Sequence, residues 1–85
     1  MRKVRVKNAL GLHARPATVL VRLLQATHSS VMFTYRNETV NARSIMSILM
    51  LAATKNSFIT VEVEGEDANE TMETIVNAFE TEFGE

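Results

Sequence analysis

The sequence predicts an α+β fold: an open-faced β-sandwich in the order βαββαβα, with a four-stranded antiparallel sheet covered on one face by helices. Three observations carry this prediction. Four short segments alternate apolar and polar residues with period two, two longer ones repeat apolar residues at helical spacing, and 85 residues suffice for one hydrophobic core. Two long helices with one apolar stripe each can cover one side of such a sheet and leave the other to water. Residues 1–85 therefore read as a single domain.

Each element has its own signal. Residues 2–7 place Val4 and Val6 between Lys3, Arg5 and Lys7, the pattern of a strand with one solvated face. From Ala14 to about His28, Ala17, Leu20, Val21 and Leu24 define the core face of a helix. Val31, Phe33 and Tyr35 alternate with Met32, Thr34 and Arg36 in a second strand. Arg36-Asn37-Glu38-Thr39 supplies the turn, and Thr39 to Asn41 begins a short third strand. Ser44 is placed to cap a short helix reaching about Ala53. Lys55-Asn56-Ser57 ends that helix, with Asn56 suited to a left-handed helix exit. Phe58 to Glu64 alternates again, with Ile59, Val61 and Val63 on one face. Asp67, followed three residues later by Glu70, resembles a capping box, and Met72, Ile75, Val76, Phe79 and Phe83 form the apolar side of the last helix.

Composition narrows the function. There is no cysteine and there are only two histidines, so neither a disulfide framework nor a metal cluster is expected, and no cofactor is implied. The longest apolar run, Ile48 to Ala53, is too short for a membrane span, and the N-terminal residues lack a signal-peptide core. A cytoplasmic protein, without membrane insertion and monomeric in solution, is the expectation. Net charge is −1, but all basic residues except Lys55 lie in residues 1–43, and all acidic residues except Glu38 lie beyond them. This split raises nucleic-acid binding as a reading. Against it, the N-terminal cations alternate with valines as the solvated face of a strand, and Phe33 and Tyr35 fall on the core face. The acids Glu66, Asp67, Glu70, Glu73, Glu80, Glu82 and Glu85 read as the solvated side of the last helix. A domain this small buries only roughly 60% of its unfolded surface, so any chemistry sits at the surface.

The stretch Gly11-Leu12-His13-Ala14-Arg15-Pro16-Ala17 is the most informative. It brings a histidine and an arginine to the start of a helix, where Pro16 is tolerated because its missing N–H would have no intrahelical partner. First-turn amides and the positive helix end favour an anion there. A neutral imidazole at His13 can accept a phosphoryl group while Arg15 and the amides hold its oxygens. No nucleophile–base–orienter set for hydrolysis accompanies it.

The short helix is the second anomaly, being apolar almost all the way round. Ile48, Leu51 and Ala52 fit an inward face, leaving Ile45, Met46 and Leu49 as an exposed docking patch, with methionine able to adapt to differently shaped partners. Ser44 beside it reads first as a helix cap. A phosphate there would also be electrostatically welcome and would place negative charge beside the patch.

The motif at 11–17, followed by Val40-Asn41-Ala42-Arg43-Ser44-Ile45-Met46, resembles the HPr family, the histidine-containing phosphocarriers of the bacterial sugar phosphotransferase system. The length and element order agree along essentially the whole chain. The resemblance implies that His13 accepts phosphate on Nδ1 from phospho-enzyme I and passes it to EIIA domains of sugar permeases. Arg15 would stabilise phosphate charge, Pro16 and Ala17 would shape the helix start, and Ile45, Met46 and Leu49 would dock both partners. It further implies a regulatory site at Ser44 for an HPr kinase/phosphorylase, with a transcription regulator as a further partner. Departures from the family pattern are Ser47, Met50, Ala52 and Asn56, and Asn37-Glu38 where Asn-Gly is typical. A different class of function stands beside the carrier: a regulatory interaction module acting through Ser44 and the apolar patch.

Overall fold

The computed structural model describes residues 1–85. The strands and helices follow in the expected order: β1 (Arg2–Arg5), α1 (Ala14–Leu24), β2 (Ser30–Tyr35), β3 (Glu38–Asn41), α2 (Ile45–Met50), β4 (Phe58–Glu64) and α3 (Ala68–Glu80). A 3-10 turn over Glu82–Gly84 follows α3. The sheet order is β1-β4-β2-β3, with every neighbouring pair antiparallel.

Period-two side chains sort onto the two faces of this sheet as their sequence demands. Val4 faces Ile59, and Phe33 lies between Val40 and Val61 in register, so these residues point to the helices. Lys3 opposite Thr60, and Thr34 between Thr39 and Thr60, lie on the open face. The core unites Val6, Phe33, Ile59 and Val61 from the sheet side with Ala17, Leu20 and Leu24 of α1 and Ile75 and Phe79 of α3. Phe79 meets Phe33 edge-on at 5.9 Å and Phe83 at 4.9 Å, geometries that aromatic quadrupoles favour.

Several boundaries differ from the sequence reading, each for a local reason. Regular β1 ends at Arg5, although Val6 still exchanges backbone hydrogen bonds with Asn56 and Ser57. Helix α1 stops at Leu24 rather than near His28. The Leu24 carbonyl is taken by the amide and hydroxyl of Thr27 and by the Arg43 guanidinium, which also donates to the carbonyls of Thr27 and Ser29. This cation lacks a carboxylate partner and instead ties the exit of α1 and the start of β2 to the segment before α2. The β2–β3 hairpin turns on two residues, Arg36 and Asn37, both at positive φ, so β3 begins at Glu38 instead of Thr39. Two left-handed central residues match the twist of the strands they join.

Helix α2 ends at Met50 rather than Ala53. Ala52, at φ 53°, makes the left-handed exit assigned to Asn56, which uses its own positive φ in the turn before β4. Ala52 consequently swings out to solvent, contrary to its inward assignment, and Ala53 is buried instead. Neither conformation suits a residue with a Cβ, and glycine would adopt both at lower steric cost. Phe83 is separated from α3 by a break with Glu82 and Phe83 at positive φ, yet it remains in the core.

The expected capping box at Asp67 does not form. Its carboxylate makes no cap bond; it accepts instead from the His28 amide, the Ser29 hydroxyl and the Thr71 hydroxyl. These donors, Ser29 first and the His28 amide second, lower the Asp67 pKa from 3.8 to about 2. A depressed carboxylate pKa stabilises the fold above the ordinary value and loses that contribution as pH falls through the folded one. The melting temperature should therefore fall between about pH 4 and pH 2, and Asp67→Asn should flatten that part of the profile while lowering stability at neutral pH. Thermal unfolding across this range checks it; identical acid limbs for the two proteins would overturn the assignment.

Candidate functional site

The site forms where the loop after β1 meets α1. His13 is the residue immediately before the helix, with extended backbone, and its carbonyl accepts from the Ala17 amide at 3.1 Å. Its imidazole makes no capping bond. Arg15 stands two residues on, 77% exposed, among first-turn amides without intrahelical acceptors. Pro16 and Ala17 turn inward and are buried, which anchors this end of the helix and leaves His13 and Arg15 at the surface.

Two backbone features hold the histidine loop. Gly11, at φ +76°, passes so close to Ala53 that an added Cβ would lie 2.4 Å from the Ala53 carbonyl oxygen. The same oxygen accepts from the Leu12 amide at 2.9 Å. The left-handed exit of α2 therefore presents the carbonyl that fixes the segment next to His13.

The structure adds an acid that the sequence reading had left among solvated side chains. Glu85 folds back onto the site: Oε1 lies 3.5 Å from His13 Nε2 and Oε2 lies 3.8 Å from Arg15 Nη1. Asn8, itself buried, steadies it by donating from Nδ2 to Glu85 and to the Glu82 carbonyl, while Asn8 Oδ1 has no partner. No local pattern announces this group, because only the turn after α3 carries Glu85 to the histidine. Its carboxylate thus faces both the imidazole and the guanidinium.

Helix α2 supplies the neighbouring surface. Ser44 caps it, the hydroxyl accepting from the Ser47 amide at 3.2 Å. Ile48 and Leu51 are buried, Ile45 and Leu49 are half-buried, and Met46 and Met50 are 69% and 78% exposed. Of the three residues expected to be exposed, only Met46 is fully so, and Met50 joins it at the surface. Leu49 reaches a cleft of about 280 Å³ that it shares with His13, Leu10, Leu12 and Ala53. The fold thus joins the patch to the histidine, while Ser44 remains at the opposite end of α2.

Comparisons with known proteins show the family and the fold. Residues 1–81 match the family model described as the PTS HPr component phosphorylation site. The chain is 48% identical to the phosphocarrier protein HPr of Chlamydia pneumoniae over 80 residues, covering 94% of this chain and 74% of that protein. It is 41% identical to the phosphocarrier protein NPr of Proteus mirabilis, covering 99% of this chain and 94% of that one. The crystal structure of HPr from Thermoanaerobacter tengcongensis superposes with a TM-score of 0.91 at 36% identity, covering 100% of this chain and 98% of that one. With the half-buried imidazole at a helix start, the adjacent arginine and the matching fold, the chain belongs to the HPr family of phosphocarriers of the phosphotransferase system.

Proposed function

We propose that His13 is the phosphoryl-carrying residue, taking the group from phospho-enzyme I and yielding it to EIIA domains of sugar permeases in the cytoplasm. The observation that carries this reading is an uncapped imidazole at the start of α1, flanked by Arg15 and by the apolar surface of α2. With its proton on Nε2, toward the Glu85 carboxylate 3.5 Å away, a neutral imidazole offers its Nδ1 lone pair to phosphorus. As the new P–N bond forms, the bond from phosphorus to the donor breaks and its electron pair stays with the donor. Arg15 exchanges Glu85 for the phosphate oxygens, and the first-turn amides add donors. The reverse attack by an acceptor discharges the carrier. An arginine that is largely exposed steadies the phosphate without enclosing it, which suits a group that must leave again. Groups that accelerate either transfer are supplied by the partners.

A second reading, regulation through Ser44, draws on the position of that hydroxyl at the head of the patch containing Ile45 and Met46. A phosphate on Ser44 would put about two negative charges next to that docking surface and disfavour an acidic or apolar partner. One experiment separates the readings: intact-mass spectrometry after incubation with enzyme I, phosphoenolpyruvate and magnesium, and separately with ATP and an HPr kinase. Under the first condition the expected result is one acid-labile, base-stable phosphate mapping to His13. No gain with an enzyme I active on another HPr overturns the carrier reading. Labelling of Ser44 under the second condition alone would favour the regulatory module.

A further inference from the structure

We infer that Asn8 is a positioning residue for phosphoryl transfer: by holding the Glu85 carboxylate against His13 and Arg15, it disfavours the charged carrier and helps the phosphoryl group leave. This rests on the phosphocarrier reading and concerns its energetics. Asn8 is only 1% exposed, and the two ends of its amide are treated very differently. Nδ2 donates to the Glu82 carbonyl at 2.9 Å and to Glu85 Oε1, whereas Oδ1 is buried with no partner. The orientation is forced, because turning the amide over would set Oδ1 against two acceptors, a carbonyl and a carboxylate. An orphaned buried oxygen costs stability, and packing alone would be served better by an apolar side chain. What Asn8 supplies is a pair of donors aimed at the turn that carries Glu85.

That turn needs anchoring. Glu82 and Phe83 both lie at positive φ, 55° and 56°, where a Cβ is disfavoured. The buried Phe83 ring and the Asn8 bond to the Glu82 carbonyl fix the turn, and Glu85 returns to the histidine with its side chain 22% exposed. In the uncharged carrier this carboxylate faces the guanidinium alone. When the P–Nδ1 bond forms, about two negative charges arrive beside a carboxylate that Asn8 keeps from withdrawing. The two anions then repel each other and compete for Arg15, which raises the charged state relative to the uncharged one. On discharge the P–Nδ1 bond breaks and its electron pair returns to Nδ1. The acceptor's nucleophile bonds to phosphorus, and Arg15 goes back to Glu85. Without Asn8, Glu85 would swing into water and the effect would be lost.

The equilibrium constant for phosphoryl transfer from phospho-enzyme I to the carrier tests the inference, with wild type, Glu85→Gln, Asn8→Ala and the double variant compared. Glu85→Gln leaves Asn8 an acceptor and removes the charge. It should shift the equilibrium toward the charged carrier by at least about twofold at low salt. The shift should shrink near ~1 M salt, a response that a purely structural role would not give. Asn8→Ala should reproduce the shift, and adding Glu85→Gln to it should change little further. A smaller shift in Glu85→Gln, or a folded Asn8→Ala that keeps the wild-type equilibrium, overturns the inference. Should Asn8→Ala not fold, the NMR signals of the Asn8 side-chain amide decide: they should move between wild type and Glu85→Ala, and unmoved signals overturn it as well. If wild type accepts no phosphate, the phosphocarrier reading falls and takes the inference with it.

Discussion

His13→Ala should accept no phosphate from phospho-enzyme I, at any concentration of donor, while retaining the fold. The loss is complete because no P–N bond can form without the imidazole; the other histidine, His28, lies beyond the far end of α1, where its amide bonds to Asp67. Stability should change by no more than about 0.5 kcal/mol, since the His13 side chain makes no cap bond whose removal would weaken α1. Arg15→Ala is the informative companion. It keeps the nucleophile and removes one charge-assisted partner, so acceptance should slow roughly ten- to hundredfold without disappearing. Rapid-quench measurement of the acid-labile phosphate separates the two variants: a flat zero for His13→Ala, a slower rise for Arg15→Ala. Phosphate acceptance at the wild-type rate by His13→Ala would place the nucleophile elsewhere.

Gly11→Ala should be the most destabilising single-methyl change near the site. Its φ of +76° costs an L residue about 1–2 kcal/mol, and the new Cβ would lie 2.4 Å from the carbonyl oxygen of Ala53. That oxygen is backbone and already bonded to the Leu12 amide, so relief requires the histidine loop and the α2 exit to separate. Forced displacement of packed groups typically costs another 1–3 kcal/mol, giving about 2–5 kcal/mol in all. In a domain of this size each kcal/mol moves the melting temperature by about 4–8 °C. A drop of roughly 8–40 °C is expected by calorimetry, with impaired transfer even well below the new midpoint because His13 follows Leu12. A melting temperature within a few degrees of wild type would show that the loop can part from Ala53 at little cost.

Much of the molecule was legible in the chain. Val4 and Val6, Phe33, and Ile59 and Val61 alternate with polar neighbours and all point into the core. Leu20 and Leu24, and Ile75 and Phe79, recur at i and i+4 and face it from the helices. The Ser44 cap was readable because it depends only on the next few residues. Element ends were less so. Helix α1 ends where Arg43 claims the Leu24 carbonyl, and β3 starts where a two-residue turn, not a longer one, closes the hairpin. The Asp67–Glu70 spacing misled because the Ser29 hydroxyl and the His28 amide, distant in sequence, outbid the local amides for the carboxylate.

The sequence by itself determined the fold class, the strand faces, the family likeness and the presence of a histidine and an arginine at a helix start, because periodicity and capping act over a few residues. Only the tertiary structure decided that Glu85, held by buried Asn8, lies against His13 and Arg15, that Gly11 rests on the Ala53 carbonyl, and that Leu10 and Leu49 flank one cleft. Those contacts join segments far apart in the chain. They arise when helices pack on the sheet and carry loop ends together, a geometry set by the summed burial of the core and written in no local pattern.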